Sequence, residues 1–273
     1  MEPSKTNRNA AHVNREYNEE KWPAIDRTIQ EVIADEATPR LDRVLHRVVR
    51  TQWFGEPSLA AHEHVFGGTM AVVPSVIAAG GESALVRESV IAAATDETDL
   101  VVELGSGWAW HLLSAWIGGG PADATYVAAE YTEAGRRAAS RLASLDADLN
   151  FEAVAFDYNE PDLGGLPSAR HAVVFSQHSI EQIPRVRPEL FTAIRGVADR
   201  VTCLHFEPIG WQAEQDGRPG SSAEYAELHD YNRNLVEALR QEHADGSLRL
   251  DPIESEVVGL NTSNATTVAR WHA

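Results

Sequence analysis

Apolar residues recur at three- and four-residue intervals early in the chain. Trp22, Ile25, Ile29, Val32 and Ile33 form one such set, and Leu41, Val44, Leu45, Val48 and Val49 form a second beyond Pro39. That spacing puts each set on one face of a helix and predicts two amphipathic helices before residue 52. Residues 1 to about 20 are polar, with Asn7, Asn9, Asn14 and Asn18, and read as a loose arm. Trp53-Phe54-Gly55-Glu56-Pro57 reads as a turn. Residues 71–79 and 83–94 read as two further helices, separated by Gly80-Gly81. His62 and His64 lie two apart, so they face different sides of a helix and share a face only if the segment is extended.

The pattern then changes. Leu100, Val101 and Val102 run without a polar break, the mark of a strand buried on both faces. Similar short runs follow at 125–129, 151–156, 171–175 and 201–206. Helical stretches alternate with them at 108–117, 132–144 and 190–197, the second carrying Arg136, Arg137 and Arg141 on a side read as solvated. Strands alternating with helices predict a parallel sheet covered on both faces. Residues 224–242 read as one long helix. Runs at 248–260 and 266–271, joined by the turn-rich 261–264, predict a terminal antiparallel pair.

Composition narrows the function classes. A formal net charge of -18 over 273 residues repels phosphates and opposes nucleic-acid binding. No apolar run is long enough for a membrane span, and no hydrophobic leader opens the sequence, so a cytoplasmic location is expected. The single cysteine, Cys203, excludes an internal disulfide and reads as a small buried hydrophobe.

The densest chemistry lies in Asp99-Leu-Val-Val-Glu103-Leu-Gly105-Ser106-Gly107-Trp-Ala109. Strand, glycine turn and helix in that order open a nucleotide-binding α/β unit. The stretch resembles motif I of the class I S-adenosylmethionine-dependent methyltransferases, an acidic residue followed by alternating glycines, with Ala109 standing where a third glycine is usual. A dinucleotide dehydrogenase, the runner-up enzyme, places a glycine where this chain has Trp110.

The resemblance covers roughly residues 96–273 and implies a Rossmann-like, doubly wound, mostly parallel seven-stranded sheet with an antiparallel C-terminal hairpin. Residues 1–95 are then a helical N-terminal cap. It also implies S-adenosylmethionine as cofactor. Glu103 and the turn Gly105-Ser106-Gly107 would hold its methionine side, and Glu130, at the end of the second strand, its ribose hydroxyls. Tyr131 would pack on adenine, Asp157 and Tyr158 would contact its edge, and Ser176 would border the cofactor in the loop after the fourth strand. In that loop, Gln177 faces substrate, and His178 with Glu181 is expected to orient the acceptor or take its proton. His205, Glu207 and Trp211, after the fifth strand, and Trp53 and Phe54, in the leader, are expected beside the substrate. His178, His205 and Glu207 suit a metal chemically, but their spacing does not call for one, and none is expected.

The implied activity is direct in-line methyl transfer to a nitrogen, oxygen or carbon nucleophile of a small molecule, a specialised metabolite or amino-acid derivative. A peptide or protein methyltransferase and a cofactor-binding protein without transferase activity are the alternatives. Partners are expected to be small molecules, with no nucleic acid and no membrane. The oligomeric state is open, a homodimer among the options.

Overall fold

The computed structural model describes residues 10–51, 60–213, 222–261 and 263–273. Five parallel strands form the centre: β3 (Thr98–Leu104), β4 (Thr125–Glu130), β5 (Phe151–Ala155), β6 (Ala169–Gln177) and β7 (Ala198–Glu207). A hairpin, β1 (Ala61–Phe66) and β2 (Thr69–Pro74), precedes them in the chain. Three strands follow, β8 (Arg249–Leu250), β9 (Glu254–Gly259) and β10 (Thr266–His272). The order across the sheet is β2-β1-β9-β10-β7-β6-β3-β4-β5, with β8 pairing β10. The connection reverses between β3 and β6, the switch point where doubly wound sheets hold ligands at their carboxyl ends.

The buried apolar run of β3 divides by alternation. Val101 faces a core shared with Val173, Phe175, Leu204 and Phe206. Leu100, Val102 and Leu104 face a second core with Val174, Cys203 and Trp271. Helices α7 (Pro188–Arg195) and α10 (Leu235–Ala244) cover the second core. The first is covered by α2 (Trp22–Asp35), α3 (Leu41–Val49), α5 (Trp110–Ile117) and α6 (Glu133–Ala143), so leader helices form an outer layer of the sheet domain itself.

The expected seven strands are ten among the described residues. The difference lies mainly at 61–74, where a hairpin replaces the start of a predicted helix. Gly67 and Gly68, at φ 56° and 71°, form the two-residue turn, and β1 pairs antiparallel with β9. The extended segment puts His62 and His64 on one face. His64 is buried, its ring bonded to the Leu260 carbonyl at 3.0 Å and to Ser75 Oγ at 3.2 Å, and neither histidine lines the main cavity.

The two helices predicted around Gly80-Gly81 are one, α4 (Ser75–Ala93). Two glycines weaken a helix by about 1 kcal/mol each relative to alanine, but packing against the hairpin offsets this. A Cβ on Gly81 would already touch Phe66 and Val258 at 3.8 Å.

Residues 10–21 are helical rather than a loose arm: α1 (Ala10–Val13) runs into a π-helical turn, Asn14–Lys21. Asn18 Oδ1 accepts the Ala134 N–H at 2.9 Å, satisfying a donor in the first turn of α6. Arg137 and Arg141 are not merely solvated. They reach buried Asp26 of α2 at 3.6 and 2.8 Å and tie the leader to α6. The predicted long helix at 224–242 is two, α9 (Ser222–His229) and α10, with α8 (Gly210–Ala213) before them. Asn232 and Asn234 turn the chain between α9 and α10, and Asn234 also bonds both backbone groups of Val186. Among the described residues, no helix is long and apolar enough to cross a membrane.

Candidate active site

A cavity of about 770 Å³ lies over the carboxyl ends of β3, β4 and β6, roofed by α2 and α4. Its floor is the turn after β3. Gly105 and Gly107 take φ 63° and 54°, in the left-handed region that favours glycine. A Cβ on Gly105 would stand 2.6 Å from Ser179 Cβ, and one on Gly107 would stand 2.8 Å from the Trp22 ring. Backbone therefore faces the cavity where a side chain would fill it. Ala109 also takes φ 61°, so the position of the third family glycine keeps its left-handed backbone although its residue is alanine.

Glu130 closes β4 and is 5% exposed. Its Oε2 accepts the Gly107 N–H at 2.8 Å, and its Oε1 accepts the N–H and hydroxyl of Thr132 at 2.8 and 2.6 Å. It thus binds turn to strand end while lining the cavity. A carboxylate has about four lone-pair sites, which leaves acceptor capacity for a ligand. Glu103 lies deeper. One oxygen accepts the Leu112 N–H at 3.1 Å, in the first turn of α5, and burial pushes its carboxyl well above the usual range. Tyr131, Asp157 and Tyr158 also line the cavity. The Asp157 Oδ1 holds Asn159 through its N–H at 2.8 Å, and the buried Tyr158 hydroxyl bonds Ser179 Oγ at 2.7 Å.

The opposite end is built around His178, which follows β6 at φ 45°. Such a conformation is strained for a residue with a Cβ and is held by the bond from its N–H to the Phe206 carbonyl, 2.9 Å. Its Nε2 lies 2.8 Å from Thr266 Oγ1 and 3.3 Å from Glu82, and its Nδ1 lies 3.7 Å from Glu181. Thr266 donates its hydroxyl to Glu82 at 2.5 Å, so it accepts from the imidazole. Burial opposes a charge on His178, but Glu82, Glu181 and Glu207 outweigh it and push its pKa up to about 9. Burial also opposes the charge on Glu82, yet the imidazole holds its carboxyl below the usual value. The pair is ionic at neutral pH. Asn264 Nδ2 lies 3.1 Å from Nδ1, and a charged ring, donating there, fits the flipped amide with Oδ1 toward it.

Gln177 and His111 both line the cavity. Glu82 and His111 had no functional signal in the sequence. Glu82 follows two glycines inside a helix, and His111 sits in an aromatic run that reads as core.

Several expected site residues lie elsewhere. Ser176 is wholly buried under the cavity and donates to Glu207 at 2.8 Å. His205 and Glu207 do not line the cavity. Alternation along β7 sends His205 into the core, where Trp271 donates to its Nε2 at 3.1 Å and burial lowers its pKa to about 3. Glu207 accepts the N–H groups of Ser179, Ile180 and Glu181 at 3.3, 3.1 and 3.4 Å, so it shapes the loop that carries His178. Trp211 borders a separate pocket with Arg233 and Arg240. Trp53 and Phe54 lie outside the described residues. Among the described residues, no group of three or more His, Cys, Asp or Glu is placed to hold a metal ion.

The turn and strand ends fit the methionine, ribose and adenine portions of the expected cofactor in chemical type. Ser106 Oγ and Trp22 Nε1, both buried at this end, have no partner among the described residues.

No protein-family model matches the chain, and no curated protein matches it. Solved structures do. Magnesium protoporphyrin IX methyltransferase from Synechocystis PCC 6803 with bound SAH is similar over 71% of this chain and 83% of its own, at 13% identity and a TM-score of 0.48. A SAM-dependent methyltransferase from Aquifex aeolicus is similar over 72% and 97%, at 14% identity and 0.44. The plantazolicin methyltransferase BpumL, in complex with a monoazolic desmethylPZN analog and SAH, is similar over 93% and 97%, at 8% identity and 0.44. With five parallel strands, a reversal between β3 and β6 and an antiparallel β9–β10 edge, the chain has a Rossmann-like, doubly wound fold.

Proposed function

We propose that this protein transfers a methyl group from S-adenosylmethionine to a small molecule held in the roofed cavity. One observation carries the reading: a single cavity runs from the strand-end acids Glu130 and Asp157, across the glycine turn, to His178 and Glu82. When bound, the cofactor supplies a methyl group on a positively charged sulfur, so the protein need not build an electrophile. Glu130, Asp157 and the backbone of Gly105 and Gly107 fix one end, and an acidic surround suits a cationic ligand.

The residues at the other end align the acceptor, which recovers much of the barrier to a bimolecular reaction. His178, charged and already donating to Thr266, orients rather than accepts a proton at neutral pH. Trp22 and its neighbours on α2 cover the turn and exclude water. The same roof favours a small acceptor over a peptide, which needs an open groove.

Incubation with S-adenosylmethionine and a fractionated metabolite extract should yield S-adenosylhomocysteine and a methylated product, read by mass spectrometry. Product with a peptide library alone would move the reading to a peptide methyltransferase. Absence of product with either would leave a cofactor-binding protein.

A further inference from the structure

The acceptor end of the cavity has a definite polarity. Its carboxylates are Glu82 and Glu181. Its one cation at depth, His178, has both ring nitrogens engaged, Nε2 by Thr266 and Glu82, Nδ1 by Asn264 and Glu181. Lys21 is at the cavity wall beside Tyr17, with its ammonium 2.6 Å from Glu16. Among the described residues, no cation is therefore left over for an anionic ligand at the acceptor end.

His111 adds an independent sign of a ligand. It is 2% exposed and lines the cavity, and its Nε2 has no partner among the described residues. Burial lowers its pKa to about 3. A neutral imidazole carries one proton. With that proton on Nδ1, Nε2 is a bare acceptor. A buried acceptor left without a donor is costly, and a ligand's N–H removes that cost. Trp108 and Trp110 line the same cavity, and Trp110 packs on the His111 ring at 3.7 Å.

Resting on the methyl-transfer reading above, we propose that the acceptor is a primary or secondary amine, its nitrogen bound at the end of the cavity lined by Glu82 and His111. The free amine's lone pair forms the new nitrogen–carbon bond as the carbon–sulfur bond breaks, its electron pair staying on sulfur. An ammonium first gives up its proton to solvent; from the free base, positive charge then passes from sulfur to nitrogen, and the product is a methylated ammonium facing Glu82. Carboxylates and phosphates meet Glu82 and Glu181 there, with the charge of His178 already engaged by both.

Calorimetry on protein saturated with S-adenosylhomocysteine tests this with matched probes: phenethylamine, 2-phenylethanol and 3-phenylpropanoate, and the smaller set propylamine, propanol and butyrate. In at least one set the amine should bind tenfold or more tightly than the alcohol, with the carboxylate weakest. Glu82→Gln should lower amine affinity at least tenfold, and His111→Phe at least threefold, each without changing affinity for S-adenosylhomocysteine. Equal binding of amine and alcohol, tighter carboxylate binding, no amine binding, or an amine affinity unmoved by both substitutions overturns the assignment. Titrating the amines without the nucleoside separates the two readings. Amine preference without nucleoside binding removes methyl transfer, and the converse removes only the amine.

Discussion

Glu82 of α4 lies 3.3 Å from Nε2 of His178, which follows β6 nearly 100 residues later in the chain. The contact joins the leader to the strand loop across the cavity, and Thr266 of β10 bridges the two. An imidazole buried without such partners would lose its charge; here the carboxylates hold it.

Glu82→Gln should therefore drop the His178 pKa from about 9 by at least one unit, read by NMR titration of the ring. The sign for stability follows. A folded pKa above the unfolded value of 6.5 stabilises fully below pH 6.5, and the gain is lost as pH rises through about 9. The wild type should lose on the order of 3 kcal/mol across that window from this group, and Glu82→Gln clearly less. Equal pH dependence in chemical denaturation of both proteins would exclude the ion pair.

Gly107 combines φ 54° with the Trp22 ring 2.8 Å from any added Cβ. Gly107→Ala should weaken S-adenosylhomocysteine binding at least tenfold and cost about 1–2 kcal/mol of stability from the left-handed backbone alone. Trp22→Ala in the same chain relieves the collision but not the backbone strain. The double variant should regain part of the affinity, and a strictly additive loss by calorimetry would refute the packing explanation.

His205 stays neutral in the core until pH falls to about 3, whereas the unfolded chain takes up that proton near 6.5. Stability must fall with acid below pH 6.5. At pH 5 the loss from this group is about 2 kcal/mol. His205→Gln, whose carbonyl can accept from Trp271, should flatten the acid limb in urea titrations at pH 7 and pH 5, although it lowers stability at both.

The parallel centre of the fold was legible because strands such as β3 carry an apolar run followed by a turn with glycines, as at Leu100 to Gly107. Glu130 and Asp157 stand at strand ends, where topology alone aims them at the cavity. The β1–β2 hairpin was obscured because its edge strand exposes Met70 and Val72, so apolar residues marked no buried face. The position of Glu207 at a strand end was equally visible, but not that three backbone N–H groups would claim its carboxylate. Glu82 and His111 act through tertiary placement, one in a helix whose paired glycines read as a break, the other in an aromatic run, and no local pattern marks either.

The central claim is that one cavity grips an adenosyl group through Glu130 at the end of β4. Calorimetric titration of S-adenosylhomocysteine into the wild type and into Glu130→Gln, which keeps the shape and one acceptor for the Gly107 and Thr132 donors, tests it most directly. The wild type should bind at one site per chain, and the variant at least tenfold more weakly with its fold retained by circular dichroism. No binding by the wild type, or equal affinity in the two proteins, would contradict the account.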